Sequence, residues 1–524
     1  MPEKAITELQ TDPARKSPAT DVNVFAVYGV EPEVQAYAMA KYSRSSLSMK
    51  ESLKEISEQK AEKFLNTFYF QYGHRSIADL AHIALAIERL SILAAIFVAD
   101  EQRWDGQERS TRYQNFKKSG WYMPALAENE EARKLYSETI VSLFAEYEFT
   151  SQAVFEHLCG RTPKPGEMTQ ETYERTLRAR AFDAARYLLP LATNTSLGEI
   201  VNARTLETQI AHLLSSPYAE VRQVAELMKR AAREPAYNAN YDALRMLVNE
   251  IREHDASLAE QAERQLLKEV RVAPTLVKYA EASQYEMRSR EELRAAAEQI
   301  MRGAPVNPAP LVDLLEDDPL EIELATTLLY ENCAYPYRQI RSQVEALPET
   351  QRGEIIALGI QNRGKHDELM RAYCAGQAFR FDILMDIGGF RDMHRHRRCV
   401  QIMQDFTFTH GHDTPTEVSD AKLAERYGRA MRRVRSVADH LAAELGDRQE
   451  VNYLIPLGYR KRTLFKMDFA EVVYISELRT GVAGHMSYRQ VAYEMFKAVA
   501  QRYPALAPYF RVTDVNEPVD LLKR

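Results

Sequence analysis

The sequence predicts an α+β, helix-rich chain made of two related halves, each a mixed sheet with packed helices, plus a helical insertion between them. Length is the first ground, because 524 residues exceed one domain of about 100–200 residues. Pattern is the second: most windows place apolar residues at helical spacing and a few short ones alternate. Recurrence is the third, since matching segments return in the same order later in the chain. Hydrophobic residues at 45% and charged residues at 27% give an ordinary globular balance, which excludes a disordered chain.

The elements follow in order. Residues 1–21 read as a flexible tail, and the alternation over 22–28 fits a strand. Helical spacing covers 31–43 and 49–69. Residues 77–100 are apolar-rich and read as helix first, then strand near 92–99. Helices are expected over 130–159, 169–188, 199–214 and 219–233, with a break at 190–196 (PLATNTS). Two amphipathic helices fit 242–301, which are rich in Glu, Arg, Ala and Leu. The prolines of 303–319 resist helix and mark a linker. Beyond it, helix, mixed structure and helix recur to about residue 503, before a short tail from 516.

The recurrence is specific. VRQVAELM from Val221 matches YRQVAYEM from Tyr488, and YLLPL from Tyr187 matches YLIPL from Tyr453, at nearly equal separations. Asp100-Glu-Gln-Arg103 and Asp392-Met-His-Arg395 form a further pair upstream. The expected organisation is a first domain at 22–235, an insertion and linker at 236–319, and a second domain at 320–515.

A net charge of −7 argues against a general nucleic-acid binder. No apolar run approaches the roughly 18–20 residues of a membrane span, and the polar N-terminus lacks a signal-peptide core. A cytoplasmic protein is expected. The four cysteines form no C-x-x-C pair, so neither a thiolate zinc site nor a disulfide framework is indicated. Neither dinucleotide nor P-loop glycine motif occurs.

Two clusters carry chemistry. Met393-His-Arg-His-Arg-Arg-Cys399 gathers cations that repel unless an anion neutralises them. Guanidinium forks suit phosphate oxygens, so a pyrophosphate or nucleotide phosphate is the natural guest. In Gln107-Glu-Arg-Ser-Thr-Arg-Tyr113, Glu108, Ser110 and Arg112 would share one face of an extended segment. Such a row can hold a sugar hydroxyl, a base edge and a phosphate. His394, His396, His410 and His412 allow a metal reading instead, though the flanking arginines repel a cation.

These residues resemble the signature of the flavin-dependent thymidylate synthase (ThyX) family, R-H-R-x-x-S-x-N-E-x-S-x-R-Y, divided here between the halves. Arg395-His396-Arg397 match its first part, while Met403, Asp405 and Thr407 replace the following Glu, Ser and Arg. Glu108, Ser110, Arg112 and Tyr113 match its second part, with Arg103-Trp104-Asp105 standing where the first is expected. Downstream, Arg186 matches the arginine before the L-P-L turn and Asn202-Ala-Arg204 the N-A-R motif, against Asn452 and Asp468-Phe-Ala470 in the second half. Arg479 in Leu-Arg matches an arginine assigned to ionising the uracil, where the first half has Leu213. Gly-His74-Arg-Ser76 and Ser43 resemble the family's N-terminal pattern.

The resemblance implies reductive methylation of dUMP to dTMP, with methylenetetrahydrofolate as carbon source, FAD as hydride carrier and NADPH as reductant. It implies two ThyX-like halves from a degenerate tandem duplication, and a homodimer mimicking the family's tetramer. Glu108, Ser110, Arg112, Arg186, Arg395 and Arg479 would bind nucleotide, with Arg479 catalytic. Ser76, Asn202, Arg204, Arg395, His396 and Arg397 would bind flavin. Asp392 stands where the family has a nucleotide-contacting Gln, which leaves the substrate open. A catalytically inactive or repurposed nucleotide- or flavin-binding protein is the alternative.

Overall fold

The computed structural model describes residues 25, 27, 29–41, 49–55, 75–116, 119–316, 318–364, 370–446, 448–518 and 520–522. The first sheet contains β1 (His82–Ser91), β2 (Trp104–Glu108) and β3 (Asn194–Asn202), in the order β1-β3-β2. The second contains β4 (Val312–Leu314), β5 (Phe379–Asp386), β6 (Val400–Met403) and β7 (Arg460–Met467), in the order β4-β5-β7-β6. The α+β class holds, and every pairing is antiparallel rather than mixed.

The sheets repeat one arrangement. β1 runs into helix Ile92–Ala99 and β5 into helix Ile387–Met393, capped by Ser91 and Asp386. β3 leads to helix Ala203–Leu214 and β7 to Phe469–Thr480, capped by Asn202 and Asp468. Helices Ala219–Arg233 and Met486–Arg502 follow. Acid and hydroxyl have exchanged places in one buried pair. Ser91 Oγ donates to Glu220 at 2.5 Å, whereas Ser487 Oγ donates to Asp386.

The halves meet at their L-P-L turns. Pro190 bridges Pro456, Leu191 N–H donates to Ile455 O, and Leu457 N–H donates to Leu189 O, both at 2.9 Å. Ala192 N–H donates to Tyr453 O as Gly458 N–H does to Tyr187 O. Each contact has its counterpart with the halves exchanged, so the seam has local twofold character. One hydrophobic core runs through it, including Leu93, Leu189, Phe390 and Leu457. Burying such a side chain contributes about 1.5–3 kcal/mol, so the core holds the halves in fixed register.

Several expectations are corrected. In 77–100 the order reverses: β1 precedes helix Ile92–Ala99. The alternation of HIALAIERLS suits a sheet with one open face. ILAAIFVA is apolar on nearly every side because it is buried on nearly every side. Residues 199–202 belong to β3, not to the helix that begins at Ala203. The insertion holds three helices, Tyr241–His254, Ala256–Leu266 and Gln284–Ile300. The expected linker contains β4, which pairs with β5. Phe25 and Val27 lie outside any strand. The 1–21 tail, Ser43, His74 and most of the 49–69 helix fall outside the described residues.

Strand register also corrects the alignment of the halves. Asp105 pairs with Ile200 on β3 as Val400 pairs with Lys466 on β7. Counting back from these strands, Asp100-Glu101-Gln102 occupy the place of Arg395-His396-Arg397, not Arg103-Trp104-Asp105.

Candidate active site

β2 and the turn after it lie against the end of helix Ile387–Met393 and the loop that follows. Between them is a cleft of about 180 Å³, lined by Trp104, Glu108, Arg391, His394, Arg395 and Arg397, among others. Arg391 donates to Glu108 and, at 3.3 Å, to Thr111. Arg397 lies 4.9 Å over the Trp104 ring and pairs with Asp105 at 3.0 Å. Arg395 is exposed and pairs with no carboxylate among the described residues.

Behind Glu108 the chain turns, which changes the expected row. Glu108 ends β2, Ser110 lies beyond it, and Thr111 and Arg112 are in a turn, so the three side chains do not alternate along one strand. Ser110 Oγ accepts from Arg112 N–H at 3.2 Å. Among the described residues no imidazole or carboxylate bonds to that hydroxyl.

Arg112 is buried and committed to protein acceptors. It donates to Asp183 (3.1 Å), to Tyr488 OH (2.8 Å) and to Ala483 O (2.9 Å). Arg186 lies beside it, 3.2 Å from Asp183 and 3.3 Å from Asp392. Burial opposes charge on both guanidiniums, and the carboxylates outweigh it, raising both pKa values. Burial works to raise Asp183, but His485, Arg186 and Arg112 outweigh it and hold it below the usual carboxylate range. Burial pushes His485 down to about 4, so its ring is neutral at pH 7.

Arg479 joins this group through Tyr488, whose ring it approaches at 5.5 Å, as Arg112 does from its own direction. Its Nε donates to His396 Nε2 at 2.7 Å. That bond needs a neutral imidazole with Nε2 as acceptor. Burial first, with Arg479 adding to it, lowers the His396 pKa and keeps the ring neutral.

The expected flavin residues divide. Arg395, His396 and Arg397 stand at the cleft. Asn202 and Arg204 stand at the far end of β3, where Asn202 caps a helix by accepting from Thr205 N–H at 2.9 Å and Arg204 pairs with Asp79 at 3.3 Å. Ser76 is exposed on the short helix carrying Asp79. Val201, next to Asn202, pairs with Trp104, which carries Arg397. The histidine-metal reading finds no support in geometry: His394 bonds Gln401 at 2.8 Å, and no group of three potential ligands gathers among the described residues.

Arg391, Asp183, Thr111 and Tyr488 were missed from sequence. Asp183 could have been found as the i,i+3 partner of Arg186. The other three are recognised only through contacts between distant segments.

At the counterpart place, with the halves exchanged, the residues differ. Leu213, Tyr218, Asp405 and Asn452 stand for Arg479, His485, Ser110 and Arg186. Tyr218 OH donates to Asp405 at 2.8 Å and accepts from Asn452 at 3.1 Å. The insertion helix Gln284–Ile300 is fastened here. Arg290 donates to Ser215 O at 2.7 Å, Glu286 meets His212 at 3.0 Å, and Arg294 lies 3.9 Å from Asp405.

Comparison with known proteins identifies the class. The family described as thymidylate synthase complementing protein matches residues 27–236 and again 311–505. The chain belongs to this family, that of the flavin-dependent thymidylate synthases. It is 27% identical to a UPF0159 protein of Chlamydia pneumoniae, over 95% of this chain and 93% of that protein. A UPF0159 protein of Thermoplasma acidophilum is 23% identical over 91% and 95% of the respective chains. The flavin-dependent thymidylate synthase of Clostridium tetani is 23% identical over 41% of this chain and 87% of its own. Among solved structures, the Helicobacter pylori flavin-dependent thymidylate synthase ThyX complexed with FAD and dUMP aligns with 38% of this chain and 89% of its own, at 16% identity and a TM-score of 0.26.

Proposed function

We propose that the chain is an FAD-dependent enzyme that reductively methylates dUMP to dTMP, using methylenetetrahydrofolate and NADPH, at one site built from both halves of a tandem duplication. The observation that carries this reading is convergence. Glu108 on Arg391, Arg112 on Tyr488 and Arg186 against Asp392 bring retained motif residues of the first half against second-half residues that neighbour Arg395 and Arg479 within a single chain.

The cleft fits the charge of a flavin diphosphate. Among the described residues Arg395 has no carboxylate partner, and Arg391 has a buried Nε–H without an acceptor. Its volume of about 180 Å³ takes that end of the cofactor and not the whole dinucleotide. When bound, FAD supplies the hydride chemistry. Arg395 and Arg397 would hold its phosphates, with Asn202 at the end of β3, Arg204 in the helix after it and Ser76 on the short helix nearby as further contacts. Arg479, oriented by His396, would favour the N3-deprotonated pyrimidine, because a nearby cation lowers an acid's pKa. Ser110 serves as a ligand and not as a nucleophile, having no base to activate it. Arg112 first organises Asp183 and Tyr488, and contacts nucleotide only if it exchanges one of those partners.

Reduced protein incubated with dUMP and methylenetetrahydrofolate should form dTMP. Arg479→Ala should remain folded by circular dichroism and form none, since a contact made at the reacting ring is lost. Absence of dTMP from the parent protein carrying bound FAD would favour the repurposed-binder alternative.

A further inference from the structure

Two arginines and two carboxylates form the inner wall of the site, and the carboxylates are not equivalent. Asp183 is fixed. It is buried, lies on the same helical run as Arg186, and faces both Arg112 and Arg186 through their Nε atoms at 3.1 and 3.2 Å. Asp392 lies on the open side. Its side chain keeps 20% exposure and approaches the two terminal nitrogens of Arg186 through one oxygen, at 3.3 and 3.4 Å. Arg186 itself is 2% exposed at the side chain, and its Nε has no aligned hydrogen-bond acceptor. Two cations balanced by two anions leave little net attraction for a third anion.

We infer that Asp392 is a specificity-determining residue: an exchangeable counter-ion that occupies Arg186 until a ligand phosphate takes its place. This rests on the reading of the site as a nucleotide site. A phosphomonoester reaching Arg186 must displace the Asp392 carboxylate or share the guanidinium with it, and two anions on one fork repel. Asp183 cannot yield instead, because removing it would uncover Arg112 and Arg186 together. Asp392 therefore sets how tightly the 5′-phosphate is held, while leaving recognition of the base and sugar to other residues.

Isothermal titration of the parent chain and of Asp392→Asn with dUMP and with deoxyuridine tests this. The variant should bind dUMP about tenfold more tightly, the size expected of one charge-assisted contact released to the ligand. Deoxyuridine, which lacks the phosphate, should bind both proteins alike. Asp392→Glu, which restores the charge, should bind dUMP no more tightly than the parent. Should Asp392→Asn fold poorly because Arg186 loses a partner, Asp392→Gln gives the same comparison. In either, dUMP should raise the melting temperature more than it does in the parent. Equal or weaker dUMP binding by the neutral variants overturns the inference and leaves the nucleotide reading standing. If neither parent nor variants bind dUMP or deoxyuridine, both the inference and the nucleotide reading fail.

Discussion

His485 shows what burial does to a single residue in this site. Its ring is packed against Tyr187 at 5.4 Å and stands beside Asp183, Arg112 and Arg186. Burial pulls its pKa from 6.5 to about 4. Between those values an unfolded chain takes up a proton that the folded chain refuses, so this residue removes stability as pH falls. Glu199 and Asp386, raised by burial to about 7 and about 6, tilt the parent curve the opposite way. The readout is therefore a difference. His485→Asn keeps a capping side chain for Ser487 and loses the titration. Relative to the parent it should gain about 1.4 kcal/mol per pH unit between pH 6.5 and 4, measured by urea denaturation. A constant difference across that range would show that the ring is not held neutral. Arg186 and Arg479 were legible in the sequence as cations inside recognisable short motifs. Arg391 and Tyr488 were not, because their roles come from partners more than 280 and 370 residues away.

Elements show why some boundaries were legible and others were not. Helices such as Glu130–Arg161 carry a capping Asn129 and acidic first turn, and their periodicity sufficed. The 77–100 segment misled because a short helix buried on all sides has no polar face to reveal its period. Asn202 is proposed as a flavin contact and observed as an N-cap, so the two need separating. Asn202→Ala should cost about 1 kcal/mol through the lost cap. Asn202→Asp keeps the cap, as Asp468 does in the counterpart helix, accepting from Glu471 N–H at 2.9 Å. If Asn202 also touches flavin, Asn202→Asp should match the parent's melting temperature and bind FAD more weakly, since its charge opposes the diphosphate. Quenching of flavin fluorescence on titration measures this. Parent-like FAD affinity in Asn202→Asp would reduce the residue to a cap.

For the whole molecule, the two halves share one backbone plan and divide its side chains. The Arg479-type and His396-type groups stand on one side of the seam, and Glu108 and Arg112 on the other. At the counterpart place Leu213, Met403 and Thr407 stand for Arg479, Glu108 and Arg112, and the insertion helix Gln284–Ile300 is fastened there through His212, Ser215 and Asp405. The internal repetition was visible in the sequence as ordered matches. The fastening of helix Gln284–Ile300 at the counterpart was not, because the insertion has no equivalent to compare with. On the proposed reading each chain carries one competent site within itself, a placement supported by Arg391 reaching Glu108 and Tyr488 reaching Arg112 without a second copy. Glu108→Ala and Arg479→Ala carry lesions in opposite halves, and each alone should be inactive. Co-expressing the two with different tags and purifying the mixed assemblies then tests the arrangement. In a within-chain site every copy keeps one lesion, so the mixed protein should stay as inactive as either variant. Sites shared between chains would bring the intact first half of one copy to the intact second half of the other, and dTMP formation would return. Recovered activity in the mixed protein would therefore refute the single-chain site while preserving the chemistry assigned to its residues.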